Sequence, residues 1–233
     1  MKVVIVSPHF DDAVLSCWSL VDGEGNVDVI TVFTAGPPPG IVTDWDSDTG
    51  VDSATRMGQR AEENRRALAL AKRSPIDLGL LEGQYGGGGA DVEVLAGHLH
   101  QADAVYVPAG IGVIHVNQEH IALRDACLSV RPDCCLYADQ PYSQFRRDPQ
   151  LPQGLGSGFE RRVIRLTGRQ RERKAQAVGS YAGEIDKLEL TFGPITDPSR
   201  LRHEVFWIPA GTTGGLSEAR TRTRLSRNPF KRH

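Results

Sequence analysis

Val3-Val4-Ile5-Val6-Ser7-Pro8-His9-Phe10-Asp11-Asp12 decides how the rest of this 233-residue chain is read. Four apolar residues in a row, three of them valine, suit a strand buried on both faces, as in a parallel sheet. The run stops at one imidazole and two adjacent carboxylates. In open α/β sheets reactive groups collect beyond the carboxyl ends of strands, and His9, Asp11 and Asp12 fall there. A neutral imidazole with a carboxylate suits a divalent ion such as zinc, and a second carboxylate left off the ion is placed to act as a base.

Outward from this strand, β-type and helix-type patterns alternate, which predicts an α/β fold: a Rossmann-like, doubly wound, mostly parallel sheet in a single domain. Strands are expected over 2–6, 27–34, 76–81, 104–107, 134–138, 161–166 and 203–208, the fifth of them parallel. Helices are expected over 12–21, 54–72, 91–101, 119–129 and 168–181, the first capped by Asp11 or Asp12. Residues 36–52, with Pro37-Pro38-Pro39 and Trp45, read as a long ordered loop or lid. Residues 83–89 (GQYGGGG) cannot be regular structure. They lack the Lys-Ser/Thr of a phosphate-binding loop, so they read as an active-site rim or a linker rather than a phosphate cradle.

The chain is 39% hydrophobic and 24% charged with a formal net charge of −2. From Ser217 to His233 it carries six Lys or Arg and one acidic residue, so residues 211–233 read as a basic, flexible tail on an acidic body spanning 1–210. No segment approaches the ~20 apolar residues of a membrane span, and the N-terminus does not read as a secretory signal. Cys17, Cys127, Cys134 and Cys135 show no C-x-x-C spacing and read as buried thiols of a cytoplasmic protein. An acidic body with a short basic tail argues against nucleic acid as a partner, and no membrane is implied. The proline and glycine loops are the surfaces that would meet a neighbour in a homo-oligomer.

A metal needs a third ligand, and His120 is the candidate. It lies after the strand at 104–107 and at the start of a helix, so it also projects at the carboxyl edge of the sheet. Pro8-His9-Phe10-Asp11-Asp12 resembles the A-H-P-D-D motif of the LmbE-like, or PIG-L, N-acetylglucosaminyl deacetylases. Asn117-Gln118-Glu119-His120 resembles their H-P-D-H segment. Val32-Phe33-Thr34-Ala35-Gly36, Arg60-x-x-Glu63-x-x-x-Ala67, Lys174 to Tyr181 and Glu204-Val205-Phe206 are similar to later family segments in the same order. The resemblance implies that His9, Asp12 and His120 hold Zn²⁺, or another divalent transition metal, and that Asp11 is the general base. It further implies hydrolysis of an N-acetyl group on a small-molecule amino-sugar conjugate, in small-thiol or specialised-metabolite biosynthesis.

Three positions depart from the family pattern. Phe10 stands for proline, Ala13 for glutamate and Asn117 for the first histidine of H-P-D-H. Asn117 can donate a hydrogen bond to an oxyanion but is no acid; His115 is the alternative if its loop bends inward, set against a surface role. Trp45, Asp46 and Tyr142 are candidate sugar contacts, weighed against ordinary packing, and Arg56 and Arg60 against a helix-surface salt bridge. His98, His100 and His203 read as structural. The departures motivate an alternative function: a family member without turnover that binds a metabolite or a protein partner.

Overall fold

The computed structural model describes residues 1–111, 118–143, 149–152, 154–155, 158–212 and 216. His115, Asn117 and nearly all of the basic tail lie outside them. In chain order the elements are β1 (Lys2–Ser7), α1 (Asp12–Val21), β2 (Asn26–Ala35), α2 (Ser53–Ala69), β3 (Pro75–Leu81), α3 (Val92–Leu99) and β4 (Ala104–Pro108). Then come α4 (Gln118–Val130), β5 (Cys135–Tyr137), β6 (Phe159–Arg165), α5 (Gly168–Val178), α6 (Ala182–Phe192) and β7 (His203–Pro209).

The seven strands form one sheet in the order β3-β2-β1-β4-β5-β7-β6. The first five run parallel, and β7 is antiparallel to both β5 and β6. The apolar run of β1 alternates between the two cores. Val3 and Ile5 pack beneath α1, α2, α5 and α6, whereas Val4 and Val6 pack toward α3 and α4. A strand buried on both faces has no polar alternation, which is why it reads as a continuous hydrophobic run. The chain winds outward from β1 through β2 to β3, then returns to place β4 on the other side of β1. That reversal is the switch point where a crevice opens outside the strand ends.

Two expectations are corrected. Asp11 stands at the N-cap of α1 but makes no side-chain cap bond. Instead Ser7 Oγ accepts from Ala13 N at 3.0 Å, which leaves the two carboxylates for other partners. The glycine-rich stretch also contains a short 3-10 turn, Gly83–Tyr85. Helix α6 was not foreseen, because Gly183 falls in its first turn and glycine is a poor helix former. The glycine has a packing reason: a Cβ there would collide with the Arg56 guanidinium.

Candidate metal centre

Ser7 closes the turn after β1 by donating from Oγ to His9 O at 2.6 Å, and His9 N donates to Asp12 Oδ2 at 2.8 Å. The turn thereby brings the His9 ring over the first residue of α1. His120 sits in the first turn of α4, beyond the end of β4. His9 Nδ1 lies 3.4 Å from Asp12 Oδ2, and His120 Nε2 lies 3.5 Å from the same oxygen. The three ligand atoms are all within 4.8 Å of one another. For ligands ~2.1 Å from a tetrahedral ion the edges are ~3.4 Å, so the spacing suits zinc.

The protonation pattern fits as well. His120 Nδ1 faces Asp139 Oδ1 at 2.7 Å, and Asp139 Oδ2 accepts from Ile111 N at 2.8 Å. His9 Nε2 faces Glu119 Oε2 at 2.9 Å, and Glu119 Oε1 accepts from Gly83 N. A carboxylate beside a ring nitrogen favours N–H there and leaves the other nitrogen as a lone pair, the usual way a metal-binding histidine is oriented. Both lone pairs, His9 Nδ1 and His120 Nε2, then point at Asp12. His120 Nε2 is buried with no hydrogen-bond partner among the described residues. An orphaned buried acceptor is costly unless something fills it, and a cation does so.

The same carboxylates raise the proton affinity of the two rings, so a metal ion would bind in competition with protons. Burial opposes protonation of His9, but its hydrogen bonds to Asp12 and Glu119 outweigh this and hold its pKa well above the ordinary value. Burial also opposes ionisation of Asp12, and the neighbouring His120 and His9 overcome it to hold that carboxyl low. Asp11 goes the other way: burial, then the Asp12 and Glu184 charges, push it up to about 7. Two adjacent carboxylates thus diverge, one committed to the histidines and one not.

These groups open into a cavity of about 620 Å³ lined by His9, Asp11, Asp12, Trp45, Arg60, Glu82, Glu119, Tyr142, Tyr181 and Glu184 among others. Of the expected sugar contacts, Trp45, Arg60 and Tyr142 border it, and Asp46 does not. Asp46 is fully buried behind Arg60, whose Nη2 it binds at 2.7 Å, and it also accepts from the Tyr85 hydroxyl at 2.9 Å. Arg60 Nε binds Glu184 Oε1 at 2.6 Å, and Trp45 Nε1 donates to Glu184 Oε2 at 2.9 Å. Arg56 is buried against Glu63 and Glu184. The Tyr142 ring stands edge-on to His120, with centroids 6.0 Å apart. Neither His98, His100 nor His203 borders the cavity. Sequence reasoning missed Glu82, Asp139 and Glu184. The first two follow β3 and β5 directly, so the rule that singled out His9 also marks them. Glu184 had no such signal, because its helix was not foreseen.

No family model matches this chain, and no curated protein is similar to it in sequence. Solved structures are similar in three dimensions. A deacetylase triple mutant (Orf2*T) of the teicoplanin biosynthetic pathway superposes with a TM-score of 0.72 at 24% identity, over 89% of this chain and 97% of that one. N,N'-diacetylchitobiose deacetylase from Pyrococcus horikoshii gives 0.61 at 14% identity, over 89% and 84%. GalB, the 4-carboxy-2-hydroxymuconate hydratase from Pseudomonas putida KT2440, gives 0.57 at 14% identity, over 94% and 99%. At these identities the likeness speaks for the fold: this chain has the α/β fold that the two deacetylases and the hydratase share.

Proposed function

We propose that this protein is a metal-dependent N-deacetylase of the LmbE-like (PIG-L) type, hydrolysing the acetamide of an amino-sugar conjugate in specialised metabolism. The observation that carries the reading is the pair of ring nitrogens, His9 Nδ1 and His120 Nε2, that converge on one oxygen of Asp12 at 3.4 and 3.5 Å. A borderline-to-hard donor set of two imidazoles and one carboxylate suits zinc, with another divalent transition metal able to take its place. When bound, the ion polarises the amide carbonyl and brings the pKa of a coordinated water toward ~7.

The chain's own residues do the rest. Asp11 lines the cavity beside Asp12 without a helix-cap bond, so its carboxylate is available to take the proton of the attacking water. The C–O bond forms first, as Asp11 takes the water's proton and the carbonyl oxygen becomes an oxyanion; the C–N bond then breaks as that proton passes to the nitrogen, and acetate and amine leave. Asn117 is assigned the hydrogen bond to the developing oxyanion and His115 the alternative acid. Trp45 and Tyr142 are assigned to the sugar, Tyr142 lining the cavity edge-on to His120, and Arg60 is held in the lining by Asp46 behind it.

The fold also carries a hydratase, and local charge separates the two chemistries. Among the described lining residues are five carboxylates, Asp11, Asp12, Glu82, Glu119 and Glu184, and one guanidinium, Arg60. Arg60 is already committed to Asp46 and Glu184. Such a wall repels a polycarboxylate and accepts a neutral sugar amide. No helix of the described residues is long and apolar enough to cross a membrane. The free, buried Cys17, Cys127, Cys134 and Cys135 suit a reducing compartment, so the cytoplasm is the assigned location. The partner is the small-molecule sugar, with no nucleic acid or membrane required.

The test joins metal analysis by mass spectrometry to an amine-release screen over N-acetyl sugars and glycoconjugates. One equivalent of zinc, with amine and acetate released by wild type and not by His9→Ala or Asp11→Asn, is the expected result. Stoichiometric metal with no amide cleavage across the panel favours a binding protein instead. Turnover by a metal-free preparation overturns the metal mechanism.

A further inference from the structure

Glu204 and Lys174 are wholly buried and paired at 2.7 Å, yet neither borders the cavity. A buried ion pair is poor evidence for stability, because desolvation offsets the attraction, so its place in the fold asks for another reason. Glu204 is also bonded to α1. Its Oε1 accepts from Trp18 N at 2.8 Å and its Oε2 from Ser19 N at 2.9 Å. In an unbroken helix these amides would bond the carbonyls of Val14 and Leu15, four residues back. Here the backbone leaves helical geometry at Cys17, with φ −129° and ψ 24°. A side chain inserted into the helical ladder is an established cause of a kink. The carboxylate from β7 therefore stands in for the helix's own acceptors at the break.

The half of α1 before the break begins at Asp12. In that half Ser16 Oγ accepts from Gln140 N at 3.0 Å, and Gln140 follows Asp139, which holds His120. Gln140 Nε2 in turn donates to His203 O at 3.0 Å, one residue from Glu204. Helix residues 16–19, loop residues 139–140 and strand residues 203–204 thus form one closed, hydrogen-bonded circuit. Asp12 lies one helical turn from one corner of it, and the partner of His120 sits at another.

From this geometry we infer that Glu204 is a positioning residue of the metal centre. By capping the break in α1 it sets the direction of the turn that carries Asp12, and with it the separation of Asp12 from His120. Lys174 neutralises the carboxylate. The inference rests on the metal-centre reading above.

Lys174→Met and Glu204→Gln both delete the ion pair, but only the second replaces an acceptor oxygen at the break. A carboxamide offers one acceptor oxygen, and its NH₂ group opposes the other helix N–H. The readouts are zinc affinity by chelator competition, the absorption spectrum of the cobalt-substituted protein, and the thermal midpoint. Glu204→Gln is expected to bind zinc about tenfold more weakly with an altered cobalt spectrum, and Lys174→Met to stay within about twofold of wild type, on the scale seen for outer hydrogen bonds around metal ligands. Ser16→Ala removes a single hydroxyl from the same circuit and decides the matter if Glu204→Gln does not fold; a several-fold loss of zinc affinity is expected. Wild-type zinc affinity and cobalt spectrum in a folded Glu204→Gln, or in Ser16→Ala where Glu204→Gln does not fold, would overturn the inference. Absence of stoichiometric metal in the wild type overturns the metal-centre reading itself, and this inference with it.

Discussion

On the metal wall of the cavity, His9 and His120 each turn one ring nitrogen to a carboxylate and keep the other facing Asp12. On a second wall, Arg60, Glu184 and Trp45 have their polar groups engaged with one another and with the buried Asp46 behind them. The first wall keeps an unmet acceptor at its centre, and the second keeps none. An unmet buried acceptor costs free energy unless a ligand fills it, whereas a satisfied network holds shape. The contrast separates a wall with an open ligand position from one that defines the space around it.

The sharpest way to break this contrast is to remove a metal ligand. His120→Ala is expected to abolish stoichiometric zinc binding and to lower amide hydrolysis by at least about a thousandfold, since metal polarisation and water activation go together. Metal analysis and initial rates check it. Treatment of wild type with a chelator followed by dialysis should give the same loss, reversed by added zinc.

Asp11→Asn tests whether the uncommitted carboxylate is a base rather than a ligand. Zinc content should stay at wild-type level while kcat falls about 10²- to 10⁴-fold, the usual range for a general base. Loss of zinc together with rate would place Asp11 in the ligand set instead.

The two imidazoles themselves differ, and their partners should differ accordingly. His120 and Asp139 have no exposure, whereas the His9 side chain is 25% exposed and Glu119 16%. Water can replace a lost partner at His9 and not at His120. Asp139→Asn is therefore expected to weaken zinc binding by about 10- to 100-fold, and Glu119→Gln by less, with chelator competition as the measure. Equal effects would remove the distinction.

The smallest effect belongs to the saturated wall. Asp46→Asn should leave zinc affinity unchanged and cost about 1–3 kcal/mol of stability, because Arg60 keeps Glu184 when Asp46 is neutralised. Burial opposes ionisation of Asp46, but a hydrogen bond from Ser53, the Arg60 charge and further hydrogen bonds from Tyr85 and Thr43 hold its pKa below the ordinary value. A lowered folded pKa means that the contribution is whole at neutral pH and is lost as pH falls through the folded value. Urea midpoints of wild type and Asp46→Asn should therefore differ at pH 7 and converge below about pH 4. A gap that persists in acid would mean that the ion pair contributes nothing.

How much of this was legible depended on the distance over which each feature is encoded. The buried run of β1, the alternation of strands and helices, and the joint signal of His9, Asp12 and His120 could be read directly, since each half of the ligand set is local: His9 and Asp12 are three residues apart at one strand end. The partners that set the two tautomers could not. Glu119 meets His9 across 110 positions, and Asp139 meets His120 across 19. Nor could the sequence tell that Arg60 and Asp46 would be consumed by one another, or that an unforeseen α6 would bring Glu184 to Arg60 as well.

Hydropathy period and short-range spacing act within a few residues and survive without the rest of the chain, so the sequence alone pointed to the fold class and to His9, Asp12 and His120 as one cluster. Which lone pairs remain open, which carboxylates are held ionised and which charges cancel depend on fields and hydrogen bonds that exist only once the sheet has assembled. Those were decided by the tertiary structure.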